Sequence, residues 1–317
     1  MKRISIAPMM DYTDRHDRYF LRLISPHAWL YTEMLTTQAL LHGNREQLLR
    51  FHLAEKPLAL QLGGSEAKPL SQCAKMGEDY GYDEINLNVG CPSPRVSSGR
   101  FGACLMQEPL LVADCVATMQ AAVQVPVSVK CRIGVDEHDA YENLHHFIDT
   151  ISQTGCRSFI IHARKAWLAG LSPKQNREIP PLRYDLVYQL KRDFPHLHIM
   201  INGGIKTLAD IDVHLPHVDG VMIGRAAYAN PYLLAEIERH YFSHETDTRP
   251  KIVEALLPYI QQELQNNTRL GNMTRHILGL FAGCRKAAYW RRYLSQQAHK
   301  PGAGIEVVQQ ALAEVLS

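Results

Sequence analysis

INLNVGCPSPRV (85–96) holds the transition on which the fold turns. Ile85, Leu87 and Val89 alternate with Asn86 and Asn88, the pattern of a short buried strand. Gly90 and Pro92 then break it, with Cys91 between them. A thiol placed where a strand gives way to a loop has a purpose only if the strand ends are where the chemistry happens.

Working outward, seven similar runs appear: ISIAPM (4–9), WLYTEM (29–34), LALQL (58–62), VSVKC (127–131), SFIIHA (158–163), HIMING (198–203) and GVMIG (220–224). With INLNV (85–89) they make eight. Between them lie segments of helical periodicity, such as EPLLVADCVATMQAAV (108–123) and AYENLHHFIDTISQTG (140–155). Strand alternating with helix implies parallel strands in βα units. Eight units predict a closed TIM-type (β/α)8 barrel. A doubly wound open sheet would carry a glycine-rich turn after its first strand, and here that position reads APMMDYTD (7–14).

In such a barrel the reacting groups stand at the C-terminal ends of the strands. Those ends carry Met9 and Met10, Glu33, Gln61, Asn88, Lys130, His162, Asn202, and the pair Gly224 and Arg225. One polar group at a loop edge is ordinary. A polar group at nearly every strand end costs burial energy unless a ligand or a network satisfies it. The loops after strands seven and eight, INGGIKTLADI (201–211) and MIGRAAYANPYLL (222–234), are rich in glycine. Phosphates bind at this place in the fold, where backbone N–H groups approach an anion closely. Arg225 adds a charge-assisted donor.

Composition narrows the class. The chain has 317 residues, 46% hydrophobic and 21% charged, the balance of a globular protein with a full core. No apolar run approaches the roughly 20 residues of a membrane-spanning helix. MKRISIAPMM lacks the apolar core and cleavage site of a signal peptide, so a cytoplasmic protein is expected. Seven cysteines with no C-x-x-C pair argue against a zinc ribbon and a disulfide framework, and no metal site is expected. Most are expected to be small buried hydrophobes. Net charge is +2, but residues 251–317 hold eight Lys/Arg against four Asp/Glu, a basic tail suited to a polyanion.

The chain resembles the tRNA-dihydrouridine synthases, particularly the A-type bacterial subfamily, nearly end to end. The resemblance is carried by APMMDYTD (7–14), LQLGGS (60–65), INLNVGCPSPRVSSGRFGACLM (85–106), VKCRIG (129–134), IIHARKAWLAGLSPKQNREIPPLRY (160–184), INGGI (201–205) and MIGRAAYANP (222–231). The long blocks are specific; the NGG and GRA elements recur in many flavin and phosphate-binding barrels. Two places depart from the family pattern. Pro94 stands where an acidic residue is expected, and FAGCRKAAYWRRYL (281–294) lacks a Pro-Gly turn before its arginines.

The resemblance implies an FMN-dependent, NADPH-using reductase that converts uridine to dihydrouridine in the D-loop of tRNA, at positions 20 and 20a. It implies that Pro8, Met9 and Met10 line the flavin and that Gln61, Lys130 and His162 contact it. Asn202, Gly203, Gly204, Gly224 and Arg225 hold its phosphate. Cys91 donates the proton to C5 of uracil while hydride goes to C6. A free thiol titrates near about 8.5, so it carries its proton at neutral pH. Asn88 contacts the RNA beside the target base, with Lys174 and Arg177 at the mouth.

From about residue 250 the pattern is helices without strands. This predicts a barrel over 1–243, a linker over 244–250 and a helical domain over 251–317, which the basic excess and the resemblance together imply binds tRNA. Arg285 and Arg292, seven residues apart, are expected on one helix face, flanked by Lys286 and Arg291, with Trp290 and Tyr293 as packing residues. A monomer is expected. Two other functions fit parts of the pattern: an FMN barrel reducing a free pyrimidine or enone, and a non-catalytic RNA-binding barrel.

Overall fold

Parallel strands with both faces covered are favoured when apolar, and β4 (Leu58–Gly63) and β5 (Glu84–Val89) are buried at every position, β5 with Glu84, Asn86 and Asn88 on one face. The other strands are β1 (Arg3–Ile6), β2 (Leu30–Tyr31), β3 (Leu35–Thr36), β6 (Val127–Arg132), β7 (Ser158–His162), β8 (His198–Asn202) and β9 (Gly220–Ile223). The computed structural model describes residues 3–317; Met1 and Lys2, with which the expected barrel segment begins, lie outside the described residues. The pairings are parallel, in the order β1-β9-β8-β7-β6-β5-β4-β2. A parallel bridge between Ser5 and Trp29 joins β1 to the β2 edge and closes the barrel.

WLYTEM does not form one strand. The backbone N–H of Thr32 still reaches Ala59 O, but its side-chain oxygen takes the N–H of Gln61 at 3.0 Å and donates to Glu33 O. A hydroxyl thus stands in for the ladder at Thr32. Pairing resumes at Leu35 and Thr36, opposite Leu62 and Gly63.

Side chains alternate along a strand, so register decides who faces the barrel axis. Ala7, Tyr31, Ala59, Ile160, Met200 and Met222 form a small interior cluster with Met9 and Trp29 against it. Counting by twos from these places Met9, Gln61, His162, Asn202 and Gly224 on the interior side. Asn88 pairs with Lys130 and His162 with Asn202, so these groups crowd one end of the barrel. The larger core lies outside, between the strands and the helices.

The C-terminal helices are Arg249–Gln265, Leu270–Ile277, Ala287–Gln297 and Ile305–Leu316. The first begins inside the expected linker, with Pro250 in its first turn where a missing N–H costs nothing. These helices pack on helix Arg15–Ile24 of the barrel. Tyr259 stacks on Tyr19 at 4.0 Å, and Arg15 pairs with Glu263 at 2.6 Å. Ile252, Ile260 and Trp290 belong to the same apolar cluster as the barrel shell.

One expectation fails here. Arg285 and Arg292 do not share a helix, because Gly283 and Lys286 take left-handed backbone and the helix starts at Ala287. Lys286 donates to Glu314 O at 2.7 Å and to Ser317 Oγ, capping the last helix instead of flanking an arginine stripe. Trp290 is buried, as a packing residue should be, with its indole N–H on Ile277 O at 2.9 Å.

Candidate active site

A chain of buried hydrogen bonds climbs the barrel interior. Glu84 Oε1 accepts from Tyr31 Oη and Ser128 Oγ, at 2.9 and 2.6 Å. Asn86 Nδ2 donates to Ser128 Oγ, and Asn86 Oδ1 accepts from Gln61 Nε2, both at 2.8 Å. Gln61 Oε1 then accepts from Asn88 Nδ2 at 2.8 Å. Polar groups this deep cost several kcal/mol if unpaired, so a continuous ladder is how the barrel tolerates them. The ladder also fixes the amide orientation of Gln61 and Asn88.

Its upper end holds the thiol loop. Asn88 Oδ1 accepts from Gly90 N at 3.1 Å and Cys91 N at 3.0 Å, the side-chain turn that asparagine favours. Ala103 N donates to Cys91 O at 2.9 Å. Gly102 lies beneath, with φ +76°, and a Cβ there would come within 2.6 Å of Cys91 O. From the next strand the buried Arg132 donates through Nε to Gly90 O at 2.9 Å. Its Nη1 donates to Lys165 O at 2.9 Å and Asn176 O at 3.0 Å. One guanidinium therefore ties the Cys91 loop to the loop after β7. The Cys91 side chain itself is half-buried.

The cations beside it are unusual. Burial first, then the charge of Arg132, pushes the Lys130 ammonium down to about 8. Among the described residues it has no hydrogen bond or ion pair. Burial also pushes Arg132 down to about 10. Negative charge on Cys91 would raise both, so both sense the sulfur. His162 is held well below the usual imidazole range by burial and by Arg132 and Lys130, and is neutral at physiological pH.

Across the mouth, shape replaces side-chain bonding. Asn202 Nδ2 donates to Met222 O at 2.8 Å. Gly203 and Gly204 have φ +115° and +76°. A Cβ on Gly203 would strike His162 at 2.7 Å, and one on Gly204 would strike Tyr184 Oη at 2.5 Å, so only glycine fits both. Tyr184 Oη donates to Gly203 O at 2.8 Å. At Gly224 a Cβ would meet nothing closer than Met9 Sδ at 3.6 Å. Packing does not demand that glycine, since a Cβ would make only ordinary contacts with Met9 and Ala7.

Arg225 is exposed and already engaged: Nη1 donates to Glu178 Oε1 at 2.7 Å and Nη2 to Arg177 O at 3.4 Å. Arg164, not foreseen from the sequence, donates to Glu178 O at 3.3 Å and to Pro180 O. Its buried Nε has no partner among the described residues.

Pro8 and Met9 are half-buried, and Met10 is 53% exposed. Lys174 and Arg177 are exposed on the loop after β7. The buried Asn176 staples that loop, accepting from Trp167 N at 2.7 Å and donating to Trp167 O at 2.9 Å. Arg285, Arg291 and Arg292 are exposed on the C-terminal segment. A cavity of about 360 Å³ lined by Tyr232, Arg249, Phe281 and Cys284 lies at the junction with the C-terminal helices. Concavity alone would thus point away from the strand ends. Asn86, Glu84 and Arg132 were missed, although counting by twos from Asn88 and Lys130 reaches all three.

Among the described residues no cluster of His, Cys, Asp and Glu is arranged to hold a metal ion. None of their helices is long and apolar enough to cross a membrane.

Residues 5–316 match the family model described as dihydrouridine synthase. The tRNA-dihydrouridine(20/20a) synthase of Vibrio cholerae serotype O1 is 59% identical over 316 residues, covering 99% of this chain and 96% of the relative. The protein of that name from Escherichia coli K12 is 60% identical over 313 residues, covering 98% and 90%. Among solved structures, histamine dehydrogenase from Rhizobium sp. 4-9 superposes with a TM-score of 0.56 at 11% identity, over 76% of this chain and 46% of that one. That likeness concerns the barrel fold alone.

Proposed function

This chain belongs to the dihydrouridine synthase family, and on that premise we propose that it reduces uridines 20 and 20a of tRNA, using FMN and NADPH. The observation that carries the reading is the thiol loop: Cys91 is fixed by Asn88, Ala103 and Arg132 at the end of a barrel whose glycine loops suit a phosphate.

The residues fit FMN. Among the described residues the Lys130 ammonium has no partner, and Gly224 ends its strand beside the positive-φ turn at Gly203 and Gly204. Gln61, Lys130 and His162 would face the flavin ring beside Pro8, Met9 and Met10. Asn202, the three glycines and Arg225 would hold the phosphate. FMN, when bound, supplies hydride originating from NADPH.

The chain's own contribution is the proton. As hydride adds at C6 of uracil, the Cys91 S–H bond breaks and its proton goes to C5. The sulfur is left as a thiolate, stabilised by Lys130 and Arg132, until water reprotonates it. Neutral His162 cannot contribute positive charge. Asn88 positions the loop and has one amide hydrogen left for the target nucleotide.

The uridine must leave its stack to reach this depth. Lys174 and Arg177 at the mouth, with Arg285, Arg291 and Arg292 on the C-terminal helical domain, would contact phosphates. Monomeric, cytoplasmic protein is part of the same reading. The test is to incubate purified protein with FMN, NADPH and an unmodified tRNA transcript, then map dihydrouridine by position. Product at 20 and 20a is expected. Reduction of free uridine with none of the transcript would replace this reading with a small-molecule reductase.

A further inference from the structure

We propose that Tyr12 is a stacking platform for an unpaired nucleobase next to the target uridine, a subsite outside the strand-end pocket. The inference rests on the tRNA substrate proposed above.

The turn after β1 is built to project side chains into solvent. Met10 and Tyr12 are 53% and 41% exposed, although both are large and apolar. Between them Asp11 has φ +66°, the left-handed region that a non-glycine residue adopts at a cost. The surroundings hold it there. Tyr12 N and Thr13 N donate to Met9 O at 3.1 and 3.0 Å, and Met9 N donates to Thr13 Oγ1 at 3.0 Å. Asp11 N donates to Glu33 at the neighbouring strand end. A segment fastened at four points is not a loose loop.

The ring itself is braced. Tyr12 meets Tyr228 in a T-shaped contact with centroids 4.4 Å apart. Tyr228 Oη lies 3.2 Å from His276 Nδ1 and donates to Arg275 O at 3.3 Å, so the brace reaches the C-terminal helices. Met9 Sδ would lie 3.6 Å from a Cβ at Gly224, which puts the turn on the rim of the strand-end face. Tyr12 thus stands between the barrel mouth and the helical domain with ring surface in solvent.

Charge selects the ligand. Asp11, Glu33 and Asp14 surround the turn, and the nearby cations are already paired, Arg275 with Asp14 at 2.6 Å and Arg18, which donates to Thr13 O, with Glu55 at 2.7 Å. A phosphate is disfavoured there, whereas a base offers an uncharged π face. A uridine drawn into the barrel strips its neighbour of a stacking partner, and an aromatic ring on the rim replaces it.

The probe is an unmodified tRNA transcript carrying 2-aminopurine beside the target uridine, on either side in separate preparations. Wild-type protein should quench the probe on one side. Tyr12→Ala should lose the quench and weaken binding about 5- to 100-fold, the worth of one stacked base. Tyr12→Phe and Tyr12→Trp should restore both. The slope of log affinity against log salt should not change in Tyr12→Ala, since no phosphate contact is lost. In Arg291→Ala/Arg292→Ala it should shallow by about 0.7–0.9 per lost contact. Wild-type affinity in Tyr12→Ala, equal loss in Tyr12→Phe, or a shallower slope in Tyr12→Ala would each overturn the platform. Wild-type protein that reduces free uridine but does not bind the transcript would sink the tRNA reading first.

Discussion

The two sides of the barrel mouth are built differently. At β4, β5 and β6, Gln61, Asn86 and Asn88 are joined by side-chain hydrogen bonds, and Asn88 and Arg132 each bond the backbone of the Cys91 loop. At β8 and β9 the proposed site rests on backbone: two positive-φ glycines, Gly224 and an arginine tethered to a surface acid. The difference follows from the work proposed for each. A proton donor must sit within hydrogen-bond reach of one carbon, so its loop is over-determined. A phosphate needs only N–H groups and room, which glycine supplies.

If that contrast is right, the largest effect comes from the over-determined side. Cys91→Ala should leave reduction of bound FMN by NADPH near the wild-type rate. It should slow subsequent reduction of tRNA by about 10²- to 10⁴-fold, as loss of a general acid does. Stopped-flow flavin spectra separate the two half-reactions. A mutant that reoxidises with tRNA at the wild-type rate would make Cys91 a packing residue.

Arg132 tests whether fixity itself matters. Arg132→Lys keeps the charge but cannot span Gly90 O, Lys165 O and Asn176 O together. We expect tRNA reduction about tenfold slower in single turnover, with flavin content and tRNA affinity retained. Unchanged single-turnover rates would mean that Asn88 and Ala103 hold the loop unaided.

Lys130 gives a stability signature in flavin-free protein. Its folded titration, about 8, lies below the ordinary 10.5, so the unfolded chain binds the extra proton between those values. The penalty for burying the charge is complete below about pH 8 and is relieved as pH rises toward 10.5. Lys130→Met should therefore melt a few degrees higher than wild type at pH 7. The gap should close by about pH 10.5. A gap independent of pH would trace to packing alone.

The contrast was half legible in the sequence. A polar residue ending a buried apolar run is visible because burial makes it expensive, which is how Gln61, Asn88, Lys130, His162 and Asn202 were found. Glycine pairs are visible because few residues replace them at positive φ. Long-range donors to backbone carbonyls leave no such mark. Nothing in VKCRIG shows that Arg132 reaches Asn176, 44 residues on, and nothing in REIPP shows that Glu178 captures Arg225. Local backbone choices were hidden too: Thr32 interrupts an apparent strand through its hydroxyl, and Lys286 splits an apparent helix by turning left-handed.

The smallest effect belongs to the backbone-built side, where Arg225 is one contributor among many. Its pair with Glu178 is exposed on both partners, and such solvent-screened pairs contribute little. If the guanidinium also reaches the FMN phosphate, Glu178 competes for it. Arg225→Ala should then weaken FMN binding only about fivefold, because backbone N–H groups keep most of the anion's contacts. Glu178→Gln should tighten FMN by up to about the same factor, since the arginine no longer has a carboxylate to satisfy. The double variant should match Arg225→Ala alone, because removing the competitor has no effect once the guanidinium is gone. Fluorescence titration of flavin-stripped protein measures all four, and added salt should compress the differences. Four equal affinities would take Arg225 out of the phosphate site and leave the cup to backbone alone. A Glu178→Gln variant that binds more weakly would show that the carboxylate positions the arginine rather than competing for it.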